Sequence, residues 1–400
     1  MSRPRGPACL VLRKAGRRIR AAGDQISYAP HGRQDCCETA RMRQTGQGNP
    51  MCVTAESRKP HPLPVRSRGL LRRTRRLRRA WLVGAALSAL CITPMSGVTP
   101  VASAVQLPQP SQRAYVVNRL ASTVSVINTA TDTVVATISV PDRPQYVAVD
   151  PVRARAYVTK DDSNNVTVID TGSNTVVGSI DVGAAQGAVA VDPNRARAYV
   201  AVLGVGVAVI NTKTGAIVDT IPVAGGPNVV AVDPSRARVD VTSSDADELS
   251  VINSNTNTVT GTVPVGDGPL TVAEDPVHGR AFVTNLQADT VSEVDTPSNS
   301  VTATAHSGNG PIGVDVDPAL NRAYVANGGS NSVSVINVNS QTVSTVPVGQ
   351  QPFGVGVDRV RHRIYVTNAL SDTVSVISAS HIVVATIPVG YQPSGIAVVS

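Results

Sequence analysis

A tyrosine-valine step recurs along this chain of 400 residues at an almost fixed interval. It stands at Tyr115-Val116, Tyr157-Val158, Tyr199-Val200, Tyr324-Val325 and Tyr365-Val366, with Asp240-Val241 and Phe282-Val283 as variants, so successive copies lie 42, 42, 41, 42, 42 and 41 residues apart. A period in that range means that one small supersecondary unit is copied seven times, each copy covering the apolar face of the next.

The content of one copy identifies the unit. In the second, residues 155–160, 165–170, 175–181 and 188–193 are short β-branched or alternating runs separated by Asn, Asp, Gly, Ser and Pro clusters. Such runs predict four strands, and no segment carries the 3.6-residue period of a helix. Four antiparallel strands repeated seven times about an axis predict an all-β, seven-bladed β-propeller over residues 113–400. A linear β-solenoid is the main rival. Its coils are usually shorter and often carry distinct caps, whereas both ends of this region look like pieces of one repeat.

Those ends sharpen the expectation. The repeats open in mid-unit at Arg113, and the final run from Pro393 aligns with the innermost strand at residues 145–150. The C-terminal strand should therefore complete a first blade begun by residues 113–139 and close the ring. Along each inner strand a branched residue (Val147 in the second blade, Ile396 in the last run) precedes a small one (Ala148, Ala397). Period-two alternation puts these two sets on opposite faces.

Charge divides the chain. Residues 1–104 hold 20 Lys and Arg against 4 Asp and Glu, while residues 105–400 hold 16 against 24, so formal charges of +16 and −8 make up the net +8. The repeat region lacks the clustered cations that phosphate contacts need, which disfavours a nucleic-acid partner. Residues 67–104 read as an export signal peptide: arginines crowd residues 72–79, residues 81–92 are apolar, and Ala102-Ser103-Ala104 offers a cleavage pattern that leaves Val105 first. The apolar run stops at Pro94, short for a bilayer span, so the mature domain is read as not membrane-spanning. The export route, general secretory or twin-arginine, stays open. Residues 1–66 read as disordered or as an overextended start, with Met51 a candidate initiator, and residues 105–112 as a linker. All five cysteines (Cys9, Cys36, Cys37, Cys52 and Cys91) lie in the leader, which leaves the mature domain without disulfide or thiol chemistry. Cys36-Cys37 near His31 lacks the spacing of a zinc site.

Phe282-Val283-Thr284-Asn285 and Tyr365-Val366-Thr367-Asn368, the run from Thr373 to Ile377, then Ile387-Pro388-Val389-Gly390 and Pro393, resemble the YVTN-repeat β-propellers of bacterial exported and archaeal surface-layer proteins. The resemblance covers residues 113–400 and implies a seven-bladed propeller outside the cytoplasm, within the broader WD40-like group of folds. It implies a secreted or cell-envelope location and an extracellular protein or envelope ligand as partner, and it says little about chemistry. Related seven-bladed folds include sugar lactonases and metal-dependent lyases, so fold alone leaves an enzyme open.

Residues that break the repeat are where a site should be sought, because a packing consensus does not explain them. Glu274 replaces an inner-strand valine, Asp315 an inner-strand alanine, Glu293 a valine of a third strand, and Asp240 the recurring tyrosine. Glu274 and Asp315, on adjacent inner strands, are the candidate metal ligands, and an all-oxygen pair there favours calcium or magnesium. The competing reading has each carboxylate facing solvent at a strand end or loop. His278, His306, His362 and His381 occupy unrelated repeat positions and read as surface residues. Gly204-Val205-Gly206 and Gly354-Val355-Gly356 lack the context of a phosphate loop, and no Gly-x-Ser-x-Gly elbow occurs in the repeat region. The Asp-Pro pairs recur because a turn needs them.

The reading that follows is an exported, monomeric, non-catalytic binding or scaffold propeller that uses its loop rim and central channel. The alternatives are a lactonase-like hydrolase or lyase with a divalent cation, and a structural surface-layer-type protein.

Overall fold

The computed structural model describes residues 112–399; the segments assigned above to residues 1–66 and 67–104, with nearly all of the linker, lie outside the described residues. Among the described residues there are 28 strands, β1 to β28 in chain order, and no helix. They form seven sheets of four antiparallel strands. In blade 2 these are β4 (Pro144–Asp150), β5 (Arg155–Lys160), β6 (Asn165–Asp170) and β7 (Thr175–Asp181), running from the axis outward. Later blades repeat this order, and the inner strands contact one another around a complete circle.

The circle closes between the two ends of the repeat region. Blade 1 joins β28 (Pro393–Val399) to β1 (Arg113–Asn118), β2 (Thr123–Asn128) and β3 (Thr133–Ser139). Arg113 lies opposite Val399, Tyr115 opposite Ala397 and Val116 opposite Ile396. Tyr365 of blade 7 packs in one apolar cluster with Ile396 and Val398 of blade 1, which seals the last seam.

Each part of the recurring motif has a physical task. The tyrosine faces forward: Tyr115 of blade 1 shares a cluster with Val147 and Val149 of blade 2. The threonine ties successive inner strands, since Thr284 Oγ1 donates to Ile312 O at 2.9 Å and Thr367 Oγ1 to Ser394 O at 2.7 Å. The asparagine braces its own hairpin; Asn285 Nδ2 donates to Thr290 and Ser292, and Asn118, Asn327 and Asn368 do the same in their blades. That asparagine also explains a glycine. A Cβ on Gly266, Gly308, Gly349 or Gly390 would fall within 3 Å of the asparagine side chain beneath it. Where the asparagine is replaced by Lys160 or Ser243 the matching glycine is replaced too, by Pro141 or Ala224, whereas Val202 in the asparagine's place keeps Gly183.

The aspartate ending the inner strand is buried and caps the turn that follows. Asp150 accepts the amides of Val152 and Arg153 together with the Arg153 guanidinium, which also reaches Pro193 O in blade 3 at 2.9 Å. Arg195 and Arg236 repeat this blade-to-blade link. Two histidines serve similar aspartates and are not idle surface groups. His278 Nδ1 lies 2.7 Å from Asp275 Oδ2, and His362 Nδ1 reaches back from blade 7 to Asp317 Oδ2 at 2.6 Å.

Candidate functional site

The seven inner strands enclose a central cavity of about 440 Å³. Its wall is built mainly from valine, alanine and glycine, because blades converge there and bulky side chains would hold the inner strands apart. A Cβ on Gly313 would stand 2.3 Å from Phe353 O, and one on Gly395 would stand 2.6 Å from Gln145 O. Glycine is the residue that permits this approach of backbone to backbone.

Blades 2 to 7 are entered along their inner strands, and β28 runs in the same sense within blade 1, so the N-terminal ends of the inner strands share one rim. Two aromatic residues with no counterpart in the repeat meet there. The Tyr146 and Phe353 rings stand 6.3 Å apart, tilted by 48°, and reach across the intervening strand that carries Gly395. On the same rim Tyr391, just ahead of β28, is 61% exposed, and Leu120 and Leu370 are exposed in neighbouring turns. Sequence reasoning missed this grouping. The signal was present as aromatics outside the Tyr-Val register, but only the folded ring brings blades 2 and 7 together.

Two of the four repeat-breaking carboxylates are buried in a seam between blades. Asp240 is fully buried and Glu274 nearly so. The inner strand of blade 5, Pro269–Asp275, aims Glu274 backward at blade 4, where Asp240 on Arg238–Ser243 aims forward in the tyrosine's place. The two carboxyls lie within hydrogen-bonding reach of each other, and Arg238 Nε donates to Asp240 at 2.9 Å. Burial, reinforced by the charge of Asp240, holds Glu274 well above the usual carboxylate range, and burial raises Asp240 as well.

Asp315 is engaged elsewhere. Its Oδ2 accepts the Val357 amide of blade 7 at 2.8 Å, and its Oδ1 meets Arg359 Nη2 at 3.2 Å. Glu274 and Asp315 thus sit on neighbouring strands bordering the same cavity but turn to opposite seams. Glu293 joins Arg280 at 3.3 Å and accepts from Gln341 Nε2 at 2.7 Å. The protein itself offers a divalent cation few ligands at Glu274. Calcium or magnesium takes six or more oxygen ligands, whereas this group has one neighbouring carboxyl and a guanidinium beside it.

Comparison with known proteins identifies a shape. No family model matches the sequence, and no curated protein matches it. Among solved structures, hydrazine synthase of Kuenenia stuttgartiensis is similar with a TM-score of 0.62 at 19% identity, over 68% of this chain and 94% of that one. A functionally unknown protein of Desulfotomaculum acetoxidans DSM 771 gives a TM-score of 0.63 at 18% identity, over 72% of this chain and 99% of that one. Dihydro-heme d1 dehydrogenase NirN, in complex with DHE, gives 0.53 at 16% identity, over 70% of this chain and 64% of that one. The shared property is the propeller fold. At these identities the likeness does not carry over a reaction or a ligand.

Proposed function

We propose that this chain is an exported, non-catalytic propeller of the YVTN-repeat kind that engages an extracellular protein or cell-envelope ligand through one rim and the mouth of its channel. The observation that supports this most is the convergence of Tyr146, Phe353 and Tyr391 on one rim. Aromatic groups at a concave mouth are the usual anchors of small-molecule sites and protein interfaces. None of the three belongs to the recurring motif. Of the four carboxylates outside the repeat, Asp240, Asp315 and Glu293 are by contrast engaged with partners within the propeller, and Glu274 is buried beside Asp240.

Export is supported by the arginine-rich run followed by the apolar run at residues 81–92. The motif pieces that recur with the asparagine brace and its glycine support the YVTN-repeat assignment. The test is to express the full chain, recover it from the medium, determine its N-terminus, and measure its retention by an envelope fraction. The mature chain is expected to start at Val105. Replacing Tyr146 and Phe353 by alanine should weaken retention by about tenfold or more, the equivalent of roughly 1.4 kcal/mol for each factor of ten, with the melting temperature little changed. Failure to leave the cell, or retention indifferent to both substitutions, would contradict the reading.

A further inference from the structure

At the seam between blades 4 and 5 two buried carboxyls stand beside one guanidinium, Arg238, because the other arginine crossing the seam, Arg236, is paired with Asp233. Asp240 is 0% exposed and Glu274 7%, and neither Glu274 oxygen has a hydrogen-bond donor from an Arg, Lys, amide or hydroxyl group. Arg238 is the cation beside them: Nε serves Asp240, Nη1 donates to Thr296 O at 3.0 Å and to Asn299 Oδ1 across the seam, and the buried Nη2 meets no acceptor, so this single positive charge is shared by both acids. The surrounding charged groups are engaged with partners within their own blades. Asp233 is held by Arg236 and Ser235, Asp275 by His278, and Arg280 by Glu293. Two carboxylates sealed beside one guanidinium leave one charge uncompensated, and the least costly remedy is a proton shared between them.

We infer that Asp240 and Glu274 form a proton-binding site, and that the bound proton holds blades 4 and 5 together. In other blades the same two positions are filled apolarly, by Tyr115 against Val149 and by Phe282 against Val316. The acid pair therefore replaces a constant contact by one that depends on pH. Both carboxyls are raised in the folded chain by burial and, for Glu274, by the neighbouring acid. The sign follows directly. A folded state that keeps a proton which the unfolded chain has released loses stability as pH rises above the unfolded carboxylate range, until the folded pair ionises too. The ring should be tightest at that seam under mildly acidic conditions.

The test is urea unfolding of the full chain across pH 5 to 9, comparing the native sequence with Glu274→Gln. While the folded pair keeps its proton and the unfolded chain has lost it, the native folding constant falls about tenfold per pH unit relative to the variant. A second variant, Asp240→Tyr with Glu274→Val, restores the apolar pair and should also lose the slope, which keeps the question open to test if Glu274→Gln folds poorly. Amide exchange supplies a local reading: strands Arg238–Ser243 and Pro269–Asp275 should lose protection with rising pH faster than β4 and β5 do. Parallel slopes in all three proteins would overturn the inference. So would a slope that calcium or magnesium abolishes while raising the melting temperature, since the pair would then hold a metal.

Discussion

Tyr365 and Tyr324 occupy one repeat position in adjacent blades, yet their hydroxyls meet different surroundings. Tyr365 OH donates to Asp132 Oδ1 at 2.7 Å in blade 1, whereas Tyr324 OH is buried with no hydrogen-bond partner, and burial pushes its pKa up to about 12. Phenylalanine should therefore cost about 1–2 kcal/mol at residue 365, where it takes a donor from a half-buried carboxylate, and about nothing at 324. Urea denaturation of both variants checks this, and equal losses would show that the ring body, not the hydroxyl, accounts for the seam. At this scale Asp240, Glu274 and Asp315 were legible in the sequence as departures from the repeat. Their grouping was not: Glu274 was paired with Asp315, and the structure turns those two to separate seams and sets Glu274 against Asp240. Alternation already contained the correction. Glu274 lies one residue beyond Ala273, on the branched face, while Asp315 replaces a residue of the small face.

Element by element, four short strands and their turns were legible because period-two alternation and Asn, Asp, Gly and Pro punctuation are local signals. In blade 2 the strands β5, β6 and β7 match the expected runs, and the next inner strand, Gln186–Asp192, begins two residues before the run at 188. Turn residues behave as their chemistry suggests: Asp132, Asn174, Asn257 and Asn299 hold φ between 54° and 56° at one repeat position, a region that Asn and Asp enter more readily than most side chains. What a single strand conceals is which glycines are packed from outside. Gly349→Ala should destabilise by roughly 1–3 kcal/mol, since its new Cβ would lie 2.6 Å from Asn368 Cγ. Gly261→Ala, on an outer strand with nothing within 4 Å, should be neutral or stabilise by about 0.4–1 kcal/mol through the unfolded chain. Thermal melts of the two variants would separate these effects, and comparable losses would contradict an asparagine brace that packs on its glycine.

At the scale of the whole molecule the number of blades was legible from counting, and closure from the phase of the repeat at its two ends. The channel mouth was not, because it depends on residues of blades 2 and 7 that are remote along the chain and neighbours only once the ring is shut. Closure also sets how stability is shared. Blade 1 is the one sheet drawing on both ends of the repeat region, with β28 paired to β1 and Tyr365 sealed against Ile396 and Val398. Roughly four or five ladder bonds at a net ~0.5–1.5 kcal/mol each amount to several kcal/mol before packing is added, a large part of the stability of an ordinary domain. Losing them also strips β24 (Pro352–Asp358) and β4 of the inner strand that lies between them.

Urea unfolding of the chain ended after Val389, which removes β28 with its lead-in turn, decides between a closed and an open ring. Closure predicts cooperative loss of the fold, with no blade left at native stability; a truncated chain that unfolded at the same midpoint as the intact one would contradict it.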